Sequence, residues 1–201
     1  MARSVSLTSG RSEARFQSAP GSSGRSRSVS VISVVRARPA RTGSPRKAGP
    51  VEFVLATAIP ADRLTSLRAG FDTATYERRT GAIRAGTADW VVVVDRGDVV
   101  GWMVIEWNGK RTRPHHPDIT DVYVRDGRRR EGIGTALVQE AERRASDRGA
   151  HEIGLSVNPS DNPDARRLYE RLGYRHDGTP TYLDATYGDY EDCVIDLVKR
   201  L

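Results

Sequence analysis

Apolar residues fall in short runs along most of the chain, and their periods predict a series of alternating elements. Val51 to Thr57 reads as a first strand. Pro60-Ala61-Asp62 supplies a helix start, which predicts a helix to about Ala69. A second helix is expected over Thr73 to Ala85, weakened by Gly81. Trp90 to Val94 and Val99 to Glu106 are rich in β-branched and aromatic residues and predict strands, joined by a tight turn at Asp95-Arg96-Gly97-Asp98. Asn108-Gly109 marks another turn, followed by a basic loop from Lys110 to Pro114.

The second half is more regular. Ile119 to Val124 predicts a central strand, and Thr135 to Arg148 a helix whose stripe is Ile133, Leu137, Ala141 and Ala145. His151 to Val157 predicts another strand. Asn162 is a candidate N-cap, with Pro163 at the first helical position and Asp164 in the first turn. Ala165, Leu168, Tyr169 and Leu172 then share one helix face, and Gly173 is a natural stop. Strands near Tyr174 to Asp177 and Asp192 to Val198 complete the chain. This order predicts an α/β (α+β) fold, with a mixed, mostly antiparallel central sheet flanked by helices.

Charge divides the chain. Residues 1–49 hold 12 Ser, 9 Arg and Lys47 against a single acid, Glu13, a net charge of +9. The whole chain carries +6, so residues 50–201 carry −3. The pI near 9.8 therefore belongs to the first segment, not to the body. That segment has the composition of a disordered tail, and residues 50–201 that of a folded domain. Tail functions that stay open are a transit peptide, a nucleic-acid-binding arm and a dispensable extension. Nucleic acid is expected as a partner only through the tail. The apolar patch Val29 to Val35 is too short and polar for a membrane span or a secretory core.

The lone cysteine, Cys193, excludes an intrachain disulfide framework and is expected to pack as a small hydrophobe. His115 and His116 lack further ligand spacing, so no metal is expected. Without paired cysteines or a signal peptide, the reading is a cytoplasmic protein, monomeric or homodimeric.

The candidate chemistry centres on Arg128-Arg129-Arg130-Glu131-Gly132-Ile133-Gly134-Thr135. A basic, glycine-bearing turn from a strand into a helix suits a phosphate. Glycines let the backbone approach, and the first helical amides lack partners inside the helix. The spacing is neither G-x-x-x-x-G-K-[ST] nor G-x-G-x-x-G.

The run Arg129-x-x-Gly132-x-Gly134 resembles the acetyl-coenzyme A signature [QR]-x-x-G-x-[GA] of the GNAT (Gcn5-related) N-acetyltransferases. Downstream, Asn162, Ala165, Leu168, Tyr169, Leu172, Gly173 and Tyr174 are similar to that family's N-x-x-A-x-x-L-Y-x-x-L-G-[FY] segment at every named position. The resemblance covers about residues 51–201 and is strongest from 119 to 174. It implies a sheet whose two central parallel strands splay to admit a thioester, with acetyl-CoA as co-substrate and an amine as acceptor. It also implies backbone contacts from Val122, Tyr123 and Val124 to the pantetheine arm. Phosphate contacts would come from Arg129, Arg130, Glu131, Gly132, Ile133, Gly134 and Thr135, with Asn162 and Tyr169 at the acyl end. Tyr169 is where such enzymes commonly place a general acid.

No Ser-His-Asp or Cys-His arrangement stands out, which agrees with direct transfer between aligned substrates. The base stays open between Asp121, expected by alternation to share a face with Tyr123, and Glu106, at the end of the preceding strand. Cations between Trp107 and Pro117 either favour an anionic acceptor or only solvate the loop. Two other readings stand beside the enzyme: a non-catalytic CoA-binding regulatory module, and a nucleic-acid-associated protein acting through its tail.

Overall fold

The computed structural model describes residues 51–68 and 71–201. The expected tail, 1–49, lies outside the described residues. The strands are β1 (Glu52–Leu55), β2 (Ala88–Asp95), β3 (Asp98–Glu106), β4 (Gly109–Lys110), β5 (Arg113–Pro114), β6 (Asp118–Val124), β7 (Glu152–Val157), β8 (Arg175–His176), β9 (Tyr182–Tyr187) and β10 (Tyr190–Arg200). The helices are α1 (Ala61–Thr65), α2 (Thr73–Arg84), α3 (Ile133–Asp147) and α4 (Pro163–Arg171). One sheet runs β1-β2-β3-β6-β7-β10-β8, with β9 on β10 and with β4-β5 forming a separate small hairpin. All pairs in the main sheet are antiparallel except β6 with β7.

The sheet is covered on both faces, which explains the unbroken apolar run in β2. Val91 and Val93 face α3 and α4 together with Ile119, Leu137, Ala141, Leu155 and Leu197. Trp90 and Val92 face the other way, with Leu64, Phe71, Trp102 and Val104. Both layers are nearly dry, so successive residues of one strand alternate between two cores instead of between core and water. On the second face Phe71, Trp90, Trp102 and Tyr123 stack at centroid distances of 4.6 to 6.0 Å.

Local signals hold where chemistry is local. Arg96 and Gly97 both take positive φ, 52° and 84°, in the β2-β3 turn, as a tight hairpin that matches strand twist requires. Asn162 caps α4, its side chain accepting from the Ala165 amide at 3.3 Å. Gly173, φ 96°, ends α4. The Tyr174 amide reaches the Tyr169 carbonyl and the Gly173 amide reaches that of Glu170, the paired bonds of a Schellman stop.

Tertiary contacts overrode three boundaries. The first strand stops at Leu55 and becomes a 3-10 turn that buries Ala56. The first helix ends at Thr65, not Ala69. Its continuation bends so that the Leu67 carbonyl accepts from Tyr123 Oη at 2.9 Å and Arg68 reaches Asp121. The loop Lys110 to Pro114 is the β4-β5 hairpin. β9 was not expected. No helix among the described residues is long and apolar enough to cross a membrane.

Candidate active site

The parallel pair β6 and β7 is joined only at Asp118–Gly154 and Ile119–Leu155. Beyond Ile119 the two strands part, and β6 keeps only β3 as neighbour. The gap implied by the resemblance is thus present in the strand register. Pairing ends after Ile119, and β6 runs on without β7 to Val124, at the foot of the glycine-bearing turn. A β-bulge in β6 falls opposite Met103, where the register slips between Trp102 and Val104. Asp121 takes φ 46° there, a left-handed conformation that Asp tolerates better than most residues. As a result Ile119, Val122 and Val124 line the α3 side, whereas Asp121 and Tyr123 both reach Trp102 on the other.

The glycine-bearing turn is shaped for an anion. Gly132, φ 90°, caps α3 and brings no side chain to the first amides, which leaves those donors for a ligand. Space around a Gly132 Cβ is open. At Gly134 a Cβ would sit 3.4 Å from Leu168 Cδ2 and 4.0 Å from Val124 Cγ2, ordinary van der Waals contact, so packing against α4 and the end of β6 does not itself demand glycine there. The three arginines differ. Arg128 bridges Asp95 at 2.6 Å and Glu131 at 2.8 Å, fixing the turn to the β2-β3 hairpin. Arg129 donates from Nε to the Val124 carbonyl at 3.2 Å and pairs with Asp126. Arg130, φ 65°, projects outward with its side chain 83% exposed, 3.4 Å from Asp164. Thr135 is half-buried in the first turn of α3. Tyr123 has its ring on Trp102 and its hydroxyl on α1's flank, so only its backbone borders the gap.

Tyr169 sits in the α4 stripe, buried, its ring edge-on to Tyr174 at 6.0 Å. Burial alone pushes its phenol well above the ordinary value. It stays protonated at neutral pH, but full ionisation is costly. Its proton is therefore held tightly.

The two base candidates differ in their surroundings. Asp121 is 2% exposed, and both oxygens are engaged. Arg68 and Arg79 each pair with it at 2.6 Å, and Trp102 Nε1 donates at 3.1 Å. Such a carboxylate ties α1 and α2 to the bulge. Glu106 closes β3 directly beside Asp118.

Asp118 itself, one residue before the predicted strand, is the carboxylate that sequence reasoning passed over. It is 1% exposed and stands where the gap closes. Burial pushes its carboxyl up to about 6, Lys110 pulls against that shift, and Asp196 and Glu106 add to it. Around it lies a buried polar network. Lys110 Nζ is 3.2 Å from Asp118 Oδ1 and 2.8 Å from Asp196 Oδ1, and also donates to Ser156 Oγ. Tyr182 Oη donates to Asp196 at 2.8 Å. Arg113 pairs with Glu152 at 2.7 Å and Asp177 at 3.5 Å, and His116 with Glu152 at 3.1 Å. The cations of the 107–117 segment therefore split. Lys110 and Arg113 turn inward, which accounts for their place in the sequence without an anionic acceptor.

The model of the acetyltransferase (GNAT) family matches residues 58–174, more than half of the chain, and the protein belongs to that family. Solved structures share the fold. An N-acetyltransferase from Staphylococcus aureus Mu50 superposes with a TM-score of 0.62 at 15% identity, covering 76% of this chain and 99% of that one. A ribosomal-protein-alanine N-acetyltransferase from Brucella melitensis gives 0.59 at 18% identity, over 76% and 99%. A GNAT acetyltransferase from Elizabethkingia anophelis, solved with acetyl-CoA bound, gives 0.53 at 15% identity, over 75% and 98%.

Proposed function

We propose that this protein transfers the acetyl group of acetyl-CoA directly to an amine, on a small molecule or on a protein N-terminus or lysine. The observation that carries the reading is the opening of β6 from β7 beneath the uncapped α3 N-terminus. The amides from Gly132 to Thr135, with Arg129 and Arg130, would hold the pyrophosphate. The β6 backbone from Val122 to Val124 would pair with the pantetheine arm. Asn162 braces α4 at the acyl end.

The reaction forms one C–N bond and breaks one C–S bond. The amine nitrogen attacks the thioester carbonyl, and its proton must leave. Asp118 takes that proton, directly or through water. A carboxylate titrating near 6 is a better base at neutral pH than one at its ordinary value. Asp121, held by two guanidinium groups and an indole, shapes the bulge instead. Tyr169 hydrogen-bonds the sulfur as it departs as thiolate, which then takes a proton from solvent to end as the CoA thiol, while Asp118 returns the amine's proton to solvent. The remaining catalysis is alignment of the two substrates.

The test is an assay of CoA thiol release over a panel of a polyamine, an aminoglycoside, free amino acids and short peptides with free N-termini or lysines, with the acetylated product identified by mass. An acetylated amine formed in step with CoA supports the reading. Tight acetyl-CoA binding without turnover of any amine would point to a regulatory CoA-binding module.

A further inference from the structure

The β4-β5 hairpin carries a cation into the interior, and the main chain is built to allow it. Gly109 takes φ 69°, and a Cβ there would collide with the carbonyl oxygens of Arg113 and His116. This tight hairpin lays Lys110 across the second face of the sheet, its side chain 9% exposed. An ammonium has three donors, and Lys110 meets Asp118, Asp196 and Ser156. One buried cation thus faces two buried carboxylates. Both oxygens of Asp118 and Asp196 Oδ2 are buried and meet no hydrogen-bond partner among the described residues, so Lys110 holds Asp118 as an ion pair at 3.2 Å and not through a hydrogen bond. Unsatisfied buried oxygens are rare and costly, and here three of them flank the closed end of the gap.

We propose that Lys110 is a positioning residue, which orients Asp118 and keeps it ionised for catalysis, with Asp196 as the competing carboxylate that limits how strongly it does so. The inference rests on the reading of Asp118 as the base. Every charged group facing Asp118 enters the balance. Glu106 lies beside it on β3, Lys110 above it on β4, and Asp196 across from it on β10. Arg113 of β5 also approaches, since its Nε and Asp118 Oδ1 border the same point beside Gly154, but its guanidinium is paired with Glu152 and Asp177. Lys110 alone bridges the two buried carboxylates.

Removing it leaves Asp118 buried between Glu106 and Asp196, and its affinity for a proton must rise. Removing the charge of Asp196 leaves Lys110 wholly to Asp118, and that affinity must fall. The two changes therefore act in opposite directions on Asp118, and the acid limb of kcat/KM follows them only if Asp118 is the base.

The experiment uses the full chain labelled with 13C at the aspartate carboxyl carbons. The Asp118 signal, assigned by its loss in Asp118→Asn, is titrated in the wild type, Lys110→Met and Asp196→Asn. Each variant is checked for a cooperative melt. Lys110→Met should raise the midpoint by about 1–3 pH units, the scale of one close opposite charge, and Asp196→Asn should lower it. The acid limb of kcat/KM, read by CoA release with the best acceptor of the panel above, should move with each midpoint, and the high-pH plateau of Lys110→Met should approach the wild type. If Lys110→Met does not fold, the downward shift in Asp196→Asn still decides. Midpoints that stay fixed in folded variants overturn the proposal. So do midpoints that move while the acid limb does not. If Asp118→Asn turns over the acceptor at the wild-type rate, the base reading falls with it.

Discussion

Replacing Asp118 by Asn should make the protein more stable while removing its activity. The side chain is 1% exposed, and its carboxyl is pushed from 3.8 up to about 6. A raised carboxyl favours the protonated folded form, so its contribution to stability is fully present below the unfolded value and is lost as pH rises through 6. The gap of about two units corresponds to about 3 kcal/mol at neutral pH, at roughly 1.4 kcal/mol per unit. That figure is already net of the attraction of Lys110, which holds the carboxyl below where burial alone would place it. Asn matches Asp in shape and carries no charge. It leaves Lys110 with Asp196 as a neutral pair. The expected gain is about 3 kcal/mol at pH 7.5, shrinking to zero near pH 4, where wild-type Asp118 is protonated. Urea denaturation of both proteins at several pH values reads the difference. Turnover should fall by about 10²-fold or more. A variant less stable than wild type at pH 7.5, or a difference independent of pH, would show that Asp118 is not a buried carboxylate held against its burial.

Other substitutions test other parts. Asp121→Asn breaks a buried carboxylate held by Arg68 and Arg79, and should cost stability toward the lower end of about 3–5 kcal/mol, read by chemical denaturation. This sign, opposite to that of Asp118→Asn, separates the structural from the catalytic carboxylate. Gly101→Ala would set a Cβ 2.6 Å from the Tyr123 carbonyl oxygen, a backbone atom that cannot swing aside, and should lower stability by about 1–3 kcal/mol. Gly134→Asp brings a negative charge to the α3 N-terminus; calorimetry should show acetyl-CoA affinity reduced at least tenfold, about 1.4 kcal/mol. Tyr169→Phe should keep acetyl-CoA affinity and lower kcat by about 10²-fold when chemistry limits the rate, whereas near-normal kcat would remove Tyr169 from the mechanism.

Much of this site was legible because its signals are local. Asn162, Pro163 and Gly173 specify the ends of α4 by capping chemistry alone, whereas α3 begins at Ile133, directly after the left-handed Gly132, and not at Thr135 as expected. The phase of β6 was less legible. The bulge at Asp121 depends on Arg68, Arg79 and Trp102, which come from three other elements, and alternation cannot register an extra residue. Asp118, Lys110, Ser156, Tyr182 and Asp196 are scattered over 87 positions and meet only in the fold. One sequence signal pointed to them. Asp196 interrupts the run Val194-Ile195-Asp196-Leu197-Val198, and a carboxylate inside an apolar strand implies a buried cation as partner. The β9 strand was missed for the opposite reason. Its residues Leu183, Asp184 and Thr186 mix polar and apolar types at an outer hairpin, where burial imposes little pattern.

Acetyl-CoA should enter between the parted strands, with its pyrophosphate on the α3 N-terminus, and give its acetyl group to an amine. Isothermal titration of the full chain with acetyl-CoA, followed in the same preparation by CoA release on adding the amine panel, measures both events. The expected result is saturable one-to-one binding, weakened in Gly134→Asp, and thiol release that requires both an amine and Asp118. Absence of binding heat by a folded protein, or equal affinity in a folded Gly134→Asp variant, would contradict it.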